Sequence, residues 1–450
     1  MGKISDLRIE AVTLTFHDER LAVPLHLSRG VITEVTYAKV VVEARTRAGQ
    51  LSQGVGAISL SDLWAFPHPI YTHAQKDEAM RALCQAIAAY LQTDADYSDP
   101  LEKGHDLEQA LPVLIREVEQ KLPFLEAGVI PYLAALNCLA AFDAAIHDVW
   151  GRALGGSVYD FYTAQWLNAD LGVYLGAAFK DRYPADFLVP RRRTLGVQHV
   201  VGMGDALTPV PMNGAAKATA DLPQDLTSWI ARQGITVFKV KSRGQDPRAD
   251  ARRLRAVYDT ARAADVQPDR IHLSIDPNEA CAGPDFLIEL LDVMAGESPA
   301  ALAALDYIEQ PTARDLSTYT FTLHKVAQRK PVIIDESLDR LENLARLKPL
   351  GWSGLALKTC KGQTHSLLAY CWGKQQNLFM TLQDLTNPGL ALVHSANFGA
   401  HLDLAVDYFE TNSRQFMPHA CPAEQAAYPT YFQVAEGCLR LPANKPFGLY

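Results

Sequence analysis

The sequence predicts an α/β fold: a parallel (β/α)8 barrel preceded by a smaller α+β region. Three observations predict it. From about Gln198, eight short apolar runs alternate with stretches of helical periodicity, at a repeat near the size of a βα unit. Before that, alternating apolar and polar residues mark half-buried antiparallel strands, followed by helical patterns. The length of 450 residues exceeds one ordinary core, and 48% apolar with 21% charged residues is a globular composition.

The elements follow in order. "RIEAVTLTF" and "AKVVVEART" read as antiparallel strands, and "VPLHLSRGVI" between them reads as a loop with Pro24 and Gly30. "SQGVGAISLSD" reads as a second, glycine-bearing loop. Helical periodicity runs from about Thr72 to Leu122, and "YLAALNCLAAFDAAIHDVWGRALG" is a long apolar helix at a domain junction. Asp143 and Asp148 interrupt it, which predicts buried, hydrogen-bonded side chains. The apolar runs are "QHVVGM", "ITVFKV", "IHLSI", "ALDYI", "PVIID", "GLALK", "LFMTL" and "LAVDYFE". A doubly wound open sheet is the alternative, but no glycine fingerprint opens any of the intervening helices.

Several function classes drop out. A formal charge of −9 with no basic block argues against nucleic-acid or anionic-membrane binding. No apolar run approaches the roughly 18 residues of a membrane span, and the N-terminus lacks an apolar leader. Seven scattered cysteines without a CxxC pair predict reduced thiols and a cytoplasmic protein.

The chemistry sits at strand ends. Asp276, Glu309 and Asp335 each finish one of three consecutive apolar runs. In a barrel such ends meet at one mouth, where three carboxylates repel unless a cation joins them. Oxygen ligands of this kind suit Mg²⁺. Taken singly, each acid is also a plausible helix N-cap. Lys239 and Lys241 end the preceding run, two apart and so pointing the same way, and Lys358 ends the run after the trio. A lysine beside a divalent cation and other lysines has its pKa lowered from about 10.4 toward roughly 7–8, where it acts as a base. The alternative is that the lysines merely pair with the carboxylates.

"KVK", "DPNEA", "IEQP", "DES" and "ALKTCK", in this order and spacing, resemble the enolase superfamily, closest to its mandelate racemase/muconate lactonizing group. "AAFDAAIHDVWGRALGGSVY" is similar to that family's helix at the barrel entrance. The resemblance covers most of the chain. It implies a modified TIM barrel under a cap made from the N-terminal region and the C-terminal tail. That divides the chain into residues 1–130 (cap), 131–420 (barrel, with an insertion near 163–196) and 421–450 (return to the cap). It further implies an isomerase or lyase that abstracts the proton α to a small-molecule carboxylate, with Mg²⁺ or alternatively Mn²⁺, in a homo-oligomer. Asp276, Glu309 and Asp335 match the metal ligands. Lys241 matches the proton-transferring lysine, Lys239 its electrostatic partner and Lys358 the lysine of the opposite face. Asn278, Glu336, Lys361, Gln383, Asp384 and Glu410 fall at supporting or substrate-binding positions.

Departures from the pattern narrow the group. Lys358 and Gln383-Asp384 stand where the racemase branch places His and Asp. Glu410 and Asn412 replace the Asp-x-Asp of dipeptide epimerases. "KTCKGQTH" alters the usual Lys-x-x-Lys-x-Gly-Gly, and "SQGVGAISLSD" replaces a Gly-Trp-Gly-Glu stretch. "PRRR", Pro190 to Arg193, is an anion contact or a solvated loop. "LWAFPHP", from Leu63, lines the substrate pocket or fills the cap core. His147, His394 and His401 read as packing or surface residues. Two other functions stay open: a class I aldolase-like barrel with a lysine Schiff base, and a non-catalytic member of the family.

Overall fold

The computed structural model describes residues 2–27, 30–209 and 222–450. The first three strands, β1 (Leu7–Leu27), β2 (Gly30–Thr46) and β3 (Leu51–Leu60), form an antiparallel sheet in the order β1-β2-β3. The loop expected at "VPLHLSRGVI" is instead the far end of the β1–β2 hairpin, where Leu25 lies opposite Ile32. Ser28 and Arg29 of that stretch lie outside the described residues. Register breaks between the Arg20↔Glu34 and Leu25↔Ile32 pairs, so several β1 residues, Pro24 among them, face one residue of β2. Such a bulge bends the ribbon, and a proline is tolerated where the ladder is interrupted.

The second expected loop, "SQGVGAISLSD", is strand β3. Its glycines mark close packing, not a turn. A Cβ on Gly56 would stand 1.9 Å from the Ala141 carbonyl oxygen, and one on Gly54 would stand 2.2 Å from the Val149 nitrogen. The helix Tyr132–Ala153 can therefore lie directly on the strand. Asn137 on that helix accepts from the Ser61 amide, just past the strand's end, and Asp148 from the Val55 amide. By length and composition this helix could cross a membrane, contrary to the expectation that no run comes close, and its apolar stretch is wholly buried. The two aspartates behave as predicted: Asp143 accepts from the Thr364 amide (2.7 Å) and hydroxyl (2.8 Å), and Asp148 also accepts from the Leu449 amide at 2.8 Å.

All eight apolar runs become barrel strands: β4 (Thr194–Val201), β5 (Val237–Lys241), β6 (His272–Asp276), β7 (Leu305–Glu309), β8 (Val332–Ile334), β9 (Gly354–Leu357), β10 (Phe379–Gln383) and β11 (Tyr408–Glu410). Neighbours pair in parallel in chain order, and β11 closes onto β4 with Tyr408 opposite Gly196. The closed ring answers the doubly wound alternative. A terminal hairpin, β12 (Val434–Ala435) and β13 (Cys438–Arg440), adds antiparallel to β4. The tail also reaches the N-terminal sheet: Glu424 accepts from Tyr37 Oη at 2.8 Å and Lys39 Nζ at 2.7 Å, both on β2.

The "PRRR" stretch is neither a free anion contact nor simply solvated. Arg191 donates to the Pro442 carbonyl and Arg192 pairs with Asp407, so both hold later segments of the chain. His147, His394 and His401 are all buried with hydrogen-bond partners, which is the packing role.

Candidate active site

Every strand that carries a predicted site residue delivers it to the same end of the barrel. Lys239 and Lys241 alternate with Val240 on β5 and turn the same way, since both reach Asp276 Oδ2, at 3.1 and 2.5 Å. Lys239 is buried and also meets Glu309 Oε1 at 2.7 Å and Glu410 Oε2 at 2.6 Å. Lys241 is the more open of the pair and donates to Asn278 Oδ1 at 3.0 Å. Asn278 in turn gives its amide to Asp276 Oδ1 at 2.8 Å, from a left-handed backbone (φ 47°) that asparagine tolerates.

Across the mouth, Lys358 follows β9, four strands round an eight-stranded ring from β5, and so stands diametrically opposite Lys241. It donates to Asp335 Oδ2 at 2.7 Å. Lys361 holds the other side of Asp335, at 2.6 Å from its carbonyl and 3.2 Å from Oδ1. Gln383 donates to Glu309 Oε2 at 2.5 Å. Asp384 and Glu336 are buried, and one carboxylate oxygen of each finds no hydrogen-bond partner.

Two features of this arrangement bear on the expected chemistry. The three carboxylates do meet at one mouth, but their oxygens are turned onto lysines. Among the described residues no group of His, Cys, Asp or Glu is poised to hold a metal ion. Nor do Lys239 and Lys358 lose their protons readily. Burial pushes Lys358 and Lys239 down, yet Asp335 beside the one and Glu309, Glu410 and Asp276 around the other outweigh it, and both are held above the ordinary lysine range. The ion-pair alternative thus describes this arrangement.

The charge balance still favours a cation. With Glu279 and its partner Arg314, and Arg414 beside Asp384, included, the seven acids Asp276, Glu279, Glu309, Asp335, Glu336, Asp384 and Glu410 outnumber the six bases by one. Asp276 resists burial because Lys241 and Lys239 hold it down, at about 2. The surplus shows elsewhere. Burial, reinforced by Asp276 and Asp335, pushes Glu309 up to about 7 despite Lys239. Burial beside Asp335 and Glu279 pushes Glu336 up to about 8, and burial near Glu410 pushes Asp384 up to about 7. A divalent ion carries the missing charge, so the donor set fits hard, oxygen-liganded Mg²⁺.

Above this floor a cavity runs up to the bent end of the β1–β2 hairpin. Its roof holds Leu25 and Ile32, both in "VPLHLSRGVI", together with Leu21, Val35, Leu385 and Met417, which sequence reasoning did not assign. Trp64, one of the two readings offered for "LWAFPHP", lines the cavity, its ring 5.0 Å from Lys358 Nζ and 5.8 Å from Lys361 Nζ. Arg314 fixes it from behind, donating to the Trp64 carbonyl at 3.1 Å while gripping Glu279.

Residues 221–449, more than half of the chain, match the family model described as enolase C-terminal domain-like. The chain belongs to the mandelate racemase/muconate lactonizing family of the enolase superfamily. No curated protein matches it by sequence. Solved structures similar to this enolase-superfamily chain include a dipeptide epimerase from Cytophaga hutchinsonii complexed with Mg and the dipeptide D-Ala-L-Val, at 18% identity and TM-score 0.59, covering 98% of this chain and 95% of that one. A muconate lactonizing enzyme from Pseudomonas fluorescens complexed with muconolactone is similar at 16% identity and TM-score 0.59, covering 98% and 96%. A mandelate racemase/muconate lactonizing protein from Herpetosiphon aurantiacus is similar at 17% identity and TM-score 0.60, covering 99% of each. At these identities the neighbours establish the shared fold: a superfamily barrel whose strand ends form the floor described above.

Proposed function

We propose that the protein is an isomerase or lyase that removes the proton next to a substrate carboxylate. The observation that carries this is the pair Lys241 and Lys358, diametrically opposed across a mouth that holds Asp276, Glu309 and Asp335 between them. Those three carboxylates would hold Mg²⁺, with Mn²⁺ an alternative of similar hardness, as the neighbouring dipeptide epimerase is complexed with Mg. Bound there, the ion would polarise the substrate carboxylate and stabilise the negative charge that develops on it.

The chain's own residues supply the rest. Lys239, boxed by Glu309, Glu410 and Asp276, is a fixed positive charge beneath the reacting carboxylate. Lys241 Nζ, on the more open side, takes the α-proton. Lys358, held protonated by Asp335, delivers a proton to the opposite face. Whether the outcome is racemisation, cycloisomerisation or elimination depends on the leaving group the substrate carries. A Schiff base on Lys358 needs a neutral amine, and the carboxylate of Asp335, which holds that lysine above the ordinary range, weighs against it. The free thiols fit a reducing compartment, the cytoplasm.

The deciding experiment is α-proton exchange in D₂O across a set of carboxylates, followed by NMR with Mg²⁺ and with EDTA. Exchange that requires Mg²⁺ supports the proposal. Exchange undiminished by EDTA, or borohydride trapping of a keto acid on a lysine, would replace it with the aldolase-like reading.

A further inference from the structure

We infer that the substrate carries a single carboxylate on an apolar, uncharged body, held against the roof of the cavity. This rests on the proposed reaction in taking the charged floor as the seat of that carboxylate.

The roof is the argument. Leu25 and Ile32 lie opposite each other across the hairpin, and with Leu21, Val35, Leu385 and Met417 they make a continuous aliphatic wall. Leu385 is held there at some cost: it and Thr386 both adopt left-handed backbone, φ 61° and 58°. A branched, non-glycine residue in that region stores strain of the kind functional sites retain. Placing a leucine at such a position, where a polar residue would fit the backbone better, marks an apolar contact worth holding.

Among the described residues that line the cavity, charge is confined to the floor. The ionisable residues lining the cavity among the described residues are Lys239, Lys241, Asp335, Lys358 and Glu410, all at barrel strand ends and all already in ion pairs. A second carboxylate or an ammonium on the substrate would meet the aliphatic wall without a partner, and burying an unpaired charge is strongly unfavourable. What the cavity offers beyond hydrocarbon is neutral. Ser59, Trp64 and Asn412 line it, and each carries a buried polar atom without a hydrogen-bond partner: a hydroxyl, a donor and an acceptor. They suit one uncharged polar group, such as an amide, hydroxyl or ketone, on an otherwise apolar body.

Calorimetric titration of the full chain in Mg²⁺ with octanoate, octanedioate and ω-aminooctanoate tests this, since the three acids differ at one end only. Octanoate should bind at least about tenfold more tightly than either charged analogue. Ile32→Lys and, independently, Met417→Lys should reverse the preference toward octanedioate, with circular dichroism to verify that each variant is folded. Octanedioate or ω-aminooctanoate binding as tightly as octanoate, or octanoate not binding at all, overturns the inference. The two readings fail separately. Selective octanoate binding, with no α-proton exchange across the carboxylate set, sinks the reaction and leaves the selectivity standing. Exchange that favours dicarboxylates sinks the selectivity alone.

Discussion

The floor and the roof of the cavity are built on opposite principles. The floor is charge at close quarters: Lys239 alone touches three carboxylates within 3.1 Å. The roof is hydrocarbon from a bent hairpin and two barrel loops, with a few neutral polar atoms left free. The difference divides the labour. Charges that must act on a reacting carboxylate are held on short barrel strands, where backbone ladders on both sides fix them. Selection among substrate bodies falls to side chains whose replacement disturbs no network. Floor variants should therefore change the rate of proton transfer, and roof variants should change affinity.

The largest effect should come from the floor. Lys241→Ala and Lys358→Ala should each lower α-proton exchange by about 10²–10⁴-fold, the usual contribution of a positioned general acid or base. Each should do so chiefly for one α-proton configuration, because the two lysines face each other across the mouth. Exchange of both enantiomers, followed separately by NMR, is the measurement. A Lys358→Ala variant with both rates intact would reduce that lysine to an ion-pair partner of Asp335.

The next effect tests the support under the roof. Gly56→Ala puts a Cβ 1.9 Å from the Ala141 carbonyl oxygen, which is main chain and cannot rotate away. Forcing β3 off its helix should cost about 1–3 kcal/mol, as overpacking does, visible as a lower urea midpoint. An unaltered midpoint would mean that β3 and the helix tolerate separation, and that the roof is not anchored as described.

The third prediction concerns pH. Glu309, Glu336 and Asp384 have folded-state pKa values raised to about 7, 8 and 7. Between the unfolded carboxylate range and those values the native state binds more protons than the unfolded state, so stability falls as pH rises from about 4.5 to 8. Asp276 and Asp335 act in the opposite sense, but their contribution is lost only when pH falls below about 4. In EDTA the Tm should therefore decrease from pH 5 to pH 8. Mg²⁺ should flatten that slope, and Glu336→Gln should shrink it. A Tm that rises over the same interval in EDTA would contradict the charge surplus.

The floor was legible in the sequence because strands announce their ends. A short apolar run that stops on a charged residue locates both the strand and the mouth, and Lys241, Asp276, Glu309, Asp335 and Lys358 all lie at such ends. What the spacing could not carry was pairing. Nothing in "KVK" says that Lys239 meets Glu410, 171 residues away, or that the ammonium groups sit between the carboxylates. Part of the roof was hidden for a different reason. Leu385 and Met417 come from segments remote from the hairpin and are indistinguishable from ordinary core residues until the fold brings them to it. β3 was misread because glycine serves two purposes. Gly54 and Gly56 resemble turn residues in one dimension, and only the helix lying on them shows that they are there for their missing side chains.

The smallest expected effect lies at the seam between the two regions. Trp64 belongs to the roof by position, yet its ring faces Lys358 and Lys361 of the floor. In Trp64→Phe a ring face remains, with a weaker quadrupole, and the indole N–H that has no partner here is lost. Desolvated cation–π contacts are worth about 2 kcal/mol or more, but phenylalanine keeps a ring face and only part of that is lost, so the exchange rate at saturation should fall by no more than about fivefold. If the free N–H meets the substrate, KM should rise while kcat holds, the signature of binding shared equally by ground and transition states. Trp64→Leu keeps the hydrocarbon and removes the ring face, which isolates the electrostatic share. Should Trp64→Phe instead depress kcat as severely as Lys358→Ala does, the indole would be setting the protonation of the lysine beneath it. The roof would then take part in the chemistry, and the division between a reacting floor and a selecting roof would fail at this residue.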